Sequence, residues 1–280
     1  VPTTIPLSLQ LYTVREALDA DFAGTMQRVA DIGFTRVEPY DFLARADALA
    51  AGLAATGLTA PSAHFRFLDA ESMAGASLDD VFAAAAGLGI PTIIEPFVDP
   101  AKWLSAADIH RTADALNAAA EVAVKHGIRI GYHNHWFELA PVIDADVIDA
   151  DVIDADVIDG DTGLEILSSG LNPAIILELD TYWAAAGGQD VVALLGRLGD
   201  RVRLLHIKDG PIEPDPASQL AVGDGNMPVW DIIAAATSLE VAVVELDAFA
   251  GEMFDAVIDS YTYLTSGVLT SGVLNAGASP

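Results

Sequence analysis

Residues 106–135 read AADIHRTADALNAAAEVAVKHGIRIGYHNH. The Ala-rich, helix-favouring run Ala106–His126 predicts a long helix, Gly127 supplies its stop, and Ile128–His133 predicts a strand that ends in His133, Asn134 and His135. The same unit recurs on both sides. Upstream, strands are expected at Leu7–Leu11, Thr35–Glu38, Thr59–His64 and Thr92–Glu95. Helices are expected between them at Asp21–Ile32, Phe42–Thr56 and Leu78–Leu88; in the first of these Phe22, Met26 and Val29 share one face. Downstream, helices at Thr162–Ser169, Asp190–Leu198, Val229–Ser238 and Met253–Leu264 alternate with strands at Ile175–Asp180, Val202–His206 and Val241–Glu245. Eight βα units imply a parallel sheet, and eight within this length fit a single (β/α)8 TIM barrel over residues 1–264. An open doubly wound sheet would want a glycine-rich phosphate turn after its first strand, and residues 10–18 read QLYTVREAL instead.

The chain has 280 residues, no cysteine, and 13 Lys+Arg against 41 Asp+Glu. Its net charge of -28 argues against nucleic acid as a partner, because phosphate binding rests on Lys and Arg. The lack of cysteine excludes disulfides, thiolate metal sites and a thiol nucleophile. No apolar run is long enough to span a bilayer and no signal-peptide pattern opens the sequence, so the expectation is a soluble cytoplasmic protein with no membrane partner. Residues 142–161 are four near-identical five-residue units, VIDAD three times and VIDGD once, holding eight aspartates. This step matches neither helix nor strand and lacks the glycine turn and closing Glu of a calcium loop, so it is read as an acidic loop insertion after strand 5. A second tandem, LTSGV twice, leads into an expected C-terminal tail at 265–280.

Four of the six histidines fall at predicted strand ends, which is where a TIM barrel keeps its chemistry. Those ends carry Glu38, His64, Glu95, His133 with His135, Asp180, His206 with Lys208, and Glu245 with Asp247. Each alone reads equally as a cap or a charged turn. Together they would crowd carboxylates and imidazoles at one mouth, which a divalent cation would stabilise. A nitrogen and oxygen donor set without sulfur suits Mn, Co, Mg, Fe or Zn.

At this point the sequence resembles the xylose-isomerase-like TIM-barrel superfamily of sugar and sugar-phosphate isomerases and epimerases. The resemblance is carried by SLQLYTVRE (8–16), GYHNHWFEL (131–139), LELDTYWAAAGG (177–188), RVRLLHIKDG (201–210), VGDGNMPVWDII (222–233) and VVELD (243–247). It implies one divalent metal, often manganese, held by side chains from strands 5 to 8. Asp180, His206 and Glu245 match three ligand positions by motif; the usual strand-5 glutamate falls on His133, with Glu138 kept as a catalytic carboxylate or alternative ligand. Trp183 stands where many relatives carry a substrate-touching His, which implies a different or larger sugar stacked on the indole. The step from His133 to Asp180 is 47 residues, and falls to 32, an ordinary βα spacing, without three five-residue units.

The resemblance implies isomerisation or epimerisation of a keto-sugar or related polyol through an enediolate, with the metal as Lewis acid. Glu245 would be the base, Glu138 or His135 the group that returns the proton, and Lys208 an electrophile. Glu38, His64, Glu95 and Trp183 would bind substrate. A lyase or dehydratase acting on a keto-sugar, an inosose or a 3-keto-glycoside is the near alternative. A non-catalytic barrel that binds a sugar or a partner is the alternative of another class. The absence of an evident phosphate grip slightly favours a non-phosphorylated sugar, and a homo-oligomer is expected by analogy.

Overall fold

β-Branched runs in this chain alternate with glycine-terminated amphipathic stretches, and each run becomes an inner strand of one parallel barrel. The computed structural model describes residues 6–142 and 161–274. Its strands are β1 Leu7–Gln10, β2 Val37–Glu38, β3 Ala63–His64, β4 Thr92–Glu95, β5 Arg129–His133, β6 Ile176–Asp180, β7 Val202–Ile207 and β8 Val241–Val244. All paired neighbours are parallel, in the order β2-β1-β8-β7-β6-β5-β4-β3. The seam between β2 and β3 is closed only by bridges, Arg36 with Thr59 and Tyr40 with His64, and by bonds such as His64 N–H to Pro39 O at 2.8 Å. The chain is therefore a TIM barrel.

Strand residues alternate faces, so every second residue points into the barrel. Ile94, Ile176, Leu204, Val241 and Val243 form an apolar cluster separate from the larger core under the helices, and they fill the barrel floor. Gly131 makes room for them: a Cβ there would lie 2.6 Å from Ile94 Cδ1 and 2.8 Å from Ile176 Cγ1. Two and four residues further along the same faces come the polar groups: Glu178 and Asp180 after Ile176, His206 and Lys208 after Leu204, Glu245 and Asp247 after Val243.

The expected helices are present, with three further short ones at Arg15–Ala20, Ala70–Met73 and Thr181–Ala186. The last helix runs Met253–Leu274, past the expected boundary at 264 and through the LTSGV tandem. Thr265 and Ser266 donate back to the carbonyls of Tyr261 and Tyr263, and Gly267 lies where a Cβ would meet the Trp230 ring at 2.0 Å. Residues 143–160 of the acidic insertion lie outside the described residues. Its feet adjoin, with an antiparallel bridge from Pro141 to Thr162.

Candidate metal centre and substrate cavity

The inward-facing groups of β5 to β8 converge. His133, Asp180, His206 and Glu245 are all buried, and one donor atom from each lies within 4.8 Å of the others. His133 Nε2 is 3.8 Å from Asp180 Oδ2, and His206 Nδ1 is 2.7 Å from Glu245 Oε2. The opposite nitrogens rest on a deeper carboxylate layer: His133 Nδ1 is 3.2 Å from Glu178 Oε2, and His206 Nε2 is 2.7 Å from Glu38 Oε1 and 3.1 Å from Glu178 Oε2. An imidazole that donates from one nitrogen to a buried carboxylate presents the other as a lone pair, which is how metal-ligating histidines are oriented. The set therefore fits a divalent cation.

Lys208 already places positive charge there. Its Nζ lies 3.0 Å from Asp180 Oδ2, 2.8 Å from Glu245 Oε2 and 2.7 Å from Asp247 Oδ2. Burial opposes charge on this ammonium, but the three carboxylates outweigh it and raise its pKa well above the ordinary lysine value. Burial likewise opposes ionisation of Glu245, and Lys208 and His206 overcome it, holding the carboxyl well below its usual range. Burial lowers His133 well below its ordinary value, with His206 reinforcing the shift, so His133 is neutral and able to ligate. His206 is driven the other way, because Glu178, Glu245 and Glu38 outweigh its burial, so a cation at this site would have to displace the proton on Nδ1 before His206 could ligate.

Glu178 is the group that the sequence reading passed over. Its Oε2 receives His64 Nε2 at 2.5 Å as well as His133 and His206, and His64, His133, Glu178 and His206 form a second, overlapping group capable of holding a metal. The signal was available, since Glu178 shares a strand face with Asp180. Burial raises its pKa, but His206 and His64 outweigh that and hold Glu178 ionised.

Several expected site residues sit elsewhere. Glu38 lies in the deeper layer, wholly buried, taking hydrogen bonds from Gln10 Nε2 at 2.8 Å and from Ser62 Oγ. Glu95 follows the inward Ile94 and so faces outward, where it accepts the Leu68 N–H at 2.8 Å and the Phe97 N–H at 3.4 Å. Burial pushes its carboxyl up to about 8. Glu138 belongs to neither group capable of holding a metal; it accepts the Tyr132 hydroxyl at 2.8 Å and the His135 N–H at 2.9 Å. Trp183, expected to stack on substrate, is 2% exposed, because Asp180 caps the short helix that carries it and the indole packs against Trp136 at 5.1 Å.

Above the centre opens a cavity of about 890 Å3, with His64, His133, Glu245 and Asp247 among its lining residues. His135 also lines it, and its buried Nδ1 has no hydrogen-bond partner. Among the described residues, no helix is long and apolar enough to cross a membrane.

Comparison with known proteins agrees with the barrel fold. Among solved structures, a sugar phosphate isomerase/epimerase from Parabacteroides distasonis superposes with a TM-score of 0.75 at 24% identity, covering 92% of this chain and 93% of that one. A zinc-bound IOLI protein gives 0.67 at 15% identity, over 95% and 99% of the two chains. A probable 3-DHS dehydratase from Bacillus anthracis, AsbF, gives 0.68 at 14% identity, over 93% and 99%. None of the curated proteins compared with the chain matches it. The family model for the xylose isomerase-like TIM barrel matches residues 26–245, and the chain belongs to that family.

Proposed function

We propose that this protein is a divalent-metal-dependent isomerase or epimerase of a keto-sugar or related polyol, with manganese as its metal and His133, Asp180, His206 and Glu245 as the ligands. The observation that carries this reading is the pair of imidazoles whose outer nitrogens rest on Glu178 and Glu38 while their inner nitrogens face Asp180 and Glu245. When bound, the cation would polarise a substrate carbonyl and stabilise the charge of an enediolate. Glu245 lines the cavity and is held ionised, which suits it to take the proton α to that carbonyl. His135 lines the cavity with a free Nδ1, 3.8 Å from Glu138 Oε1, and is better placed than Glu138 to return the proton. Lys208 fixes Asp180, Glu245 and Asp247 against one another.

Deuterium uptake from D2O at the carbon next to the carbonyl of keto-hexoses and keto-pentoses tests the chemistry. Exchange catalysed by the manganese-loaded protein should fall by about 10²- to 10⁴-fold in Glu245→Gln. Equal exchange in both proteins would remove Glu245 from the reaction. A second reading, a lyase or dehydratase on the same substrates, is favoured by the size of the cavity, which leaves space for a leaving group. It predicts a released fragment in place of an isomeric sugar.

A further inference from the structure

We infer that the cavity accepts an uncharged glycoside, a sugar bearing an apolar or aromatic aglycone, and rejects a phosphorylated sugar. This rests on the sugar-binding reading above and extends it to the rest of the substrate. The volume, about 890 Å3, lies near the top of the roughly 300–1,000 Å3 usual for small-molecule sites. A hexose seated on His64, His133 and Glu245 would leave much of that space unfilled.

The remaining space is walled by residues from the segments that follow β2 and β3. Tyr40 packs edge-on against Tyr12 at 5.3 Å, and Leu43, Met73 and Ala76 continue the wall. Such a surface gains by covering apolar area and offers nothing to a phosphate.

Charge points the same way. Asp41, Glu71, Glu245 and Asp247 line the cavity, with Arg66 the one arginine or lysine among the lining residues. Arg66 is already engaged: its guanidinium lies 5.1 Å from the Phe97 ring centroid and 3.5 Å from Asp69 Oδ1. Its buried Nε has no hydrogen-bond partner, which leaves one donor for a substrate oxygen. Glu245 and Asp247 are held by Lys208 and the proposed cation, so away from that centre a dianionic phosphate would meet Asp41 and Glu71, with Arg66 shared with Asp69.

Calorimetric titration of the metal-loaded protein with matched methyl and phenyl glycosides of glucose, galactose and xylose, and with glucose 6-phosphate, tests the assignment. For at least one sugar, the phenyl glycoside should bind about tenfold or more tightly than the methyl glycoside, and glucose 6-phosphate more weakly than either. Leu43→Asp and Met73→Asp should each erase the phenyl advantage while leaving methyl glycoside affinity in place. Equal affinities, tighter binding of the phosphate, or no phenyl glycoside binding at millimolar concentration would overturn the inference. Metal content of the same samples separates the two claims: a phenyl preference in protein that takes up no metal keeps this inference and removes the metal-dependent reading.

Discussion

The two halves of the barrel are built differently. Strands β5 to β8 run four to six residues each, pair along their length with one register shift between Leu177 and Glu178, and with the residue that follows β8 supply all four proposed metal ligands. Strands β2 and β3 are two residues long and meet only through isolated bridges, and the segments after them form most of the cavity wall. A donor set needs positions fixed to within about half an ångström, which long paired strands provide. A substrate wall needs shape, which short strands and extended connections can vary without disturbing the metal. The two halves meet at His64 and Glu38, which come from the short strands yet reach into the carboxylate layer beneath the ligands.

Breaking that division should have its largest effect through Glu95, an outward-facing residue at the end of β4 that holds the Leu68 and Phe97 N–H groups. Its carboxyl is raised from 4.5 to about 8 by burial. Between these values the folded chain holds a proton that the unfolded chain has lost, so stability is full below about pH 4.5 and falls as pH rises through 8. The loss is on the order of several kcal/mol, and Glu95→Gln should abolish it. Urea denaturation at pH 5 and pH 9 reads it, and identical pH dependence in the two proteins would rule the assignment out. Metal affinity should change little in this variant.

The ligand half is sharpened by Glu178→Gln and Glu38→Gln. Each removes a carboxylate behind a ligand imidazole and should weaken metal binding by about 10- to 100-fold with the fold retained. Competition with a metal-sensitive chelator measures this; unchanged affinity in both would separate the deeper layer from the centre. Tyr40→Phe, on the cavity wall, is the control and should leave metal affinity alone. The smallest effect is expected from deleting residues 143–157, which leaves a single VIDGD unit between feet that already adjoin at Pro141 and Thr162. Thermal midpoint and metal content should match the parent, and loss of either would make the insertion part of the centre.

The sequence made the strands legible because short strand-like runs alternate in it with longer amphipathic helical stretches, and it made the ligands legible because they lie at the ends of those runs. What it hid follows from side-chain parity and local packing. Glu95 and Tyr132 are register partners next to the inward Ile94 and His133, so both face outward, and Glu138 follows Tyr132 through its hydroxyl. Glu178 was hidden for the opposite reason: inside the apolar run AIILEL it reads as an interruption, although it shares its face with Asp180. Trp183 sits three residues past a strand end, but its indole is buried between Trp136 and the Lys208 ammonium and does not line the cavity. The LTSGV tandem is helical, and its Gly267 lies against Trp230, a long-range contact that no local pattern announces.

The central claim is a single divalent cation held by β5 to β8. Elemental analysis of protein purified from manganese-supplemented cells, beside His206→Ala, tests it directly. The account predicts about one equivalent of metal per chain in the parent and its loss in the variant. Metal absent from both, or retained in full by the variant, would contradict it.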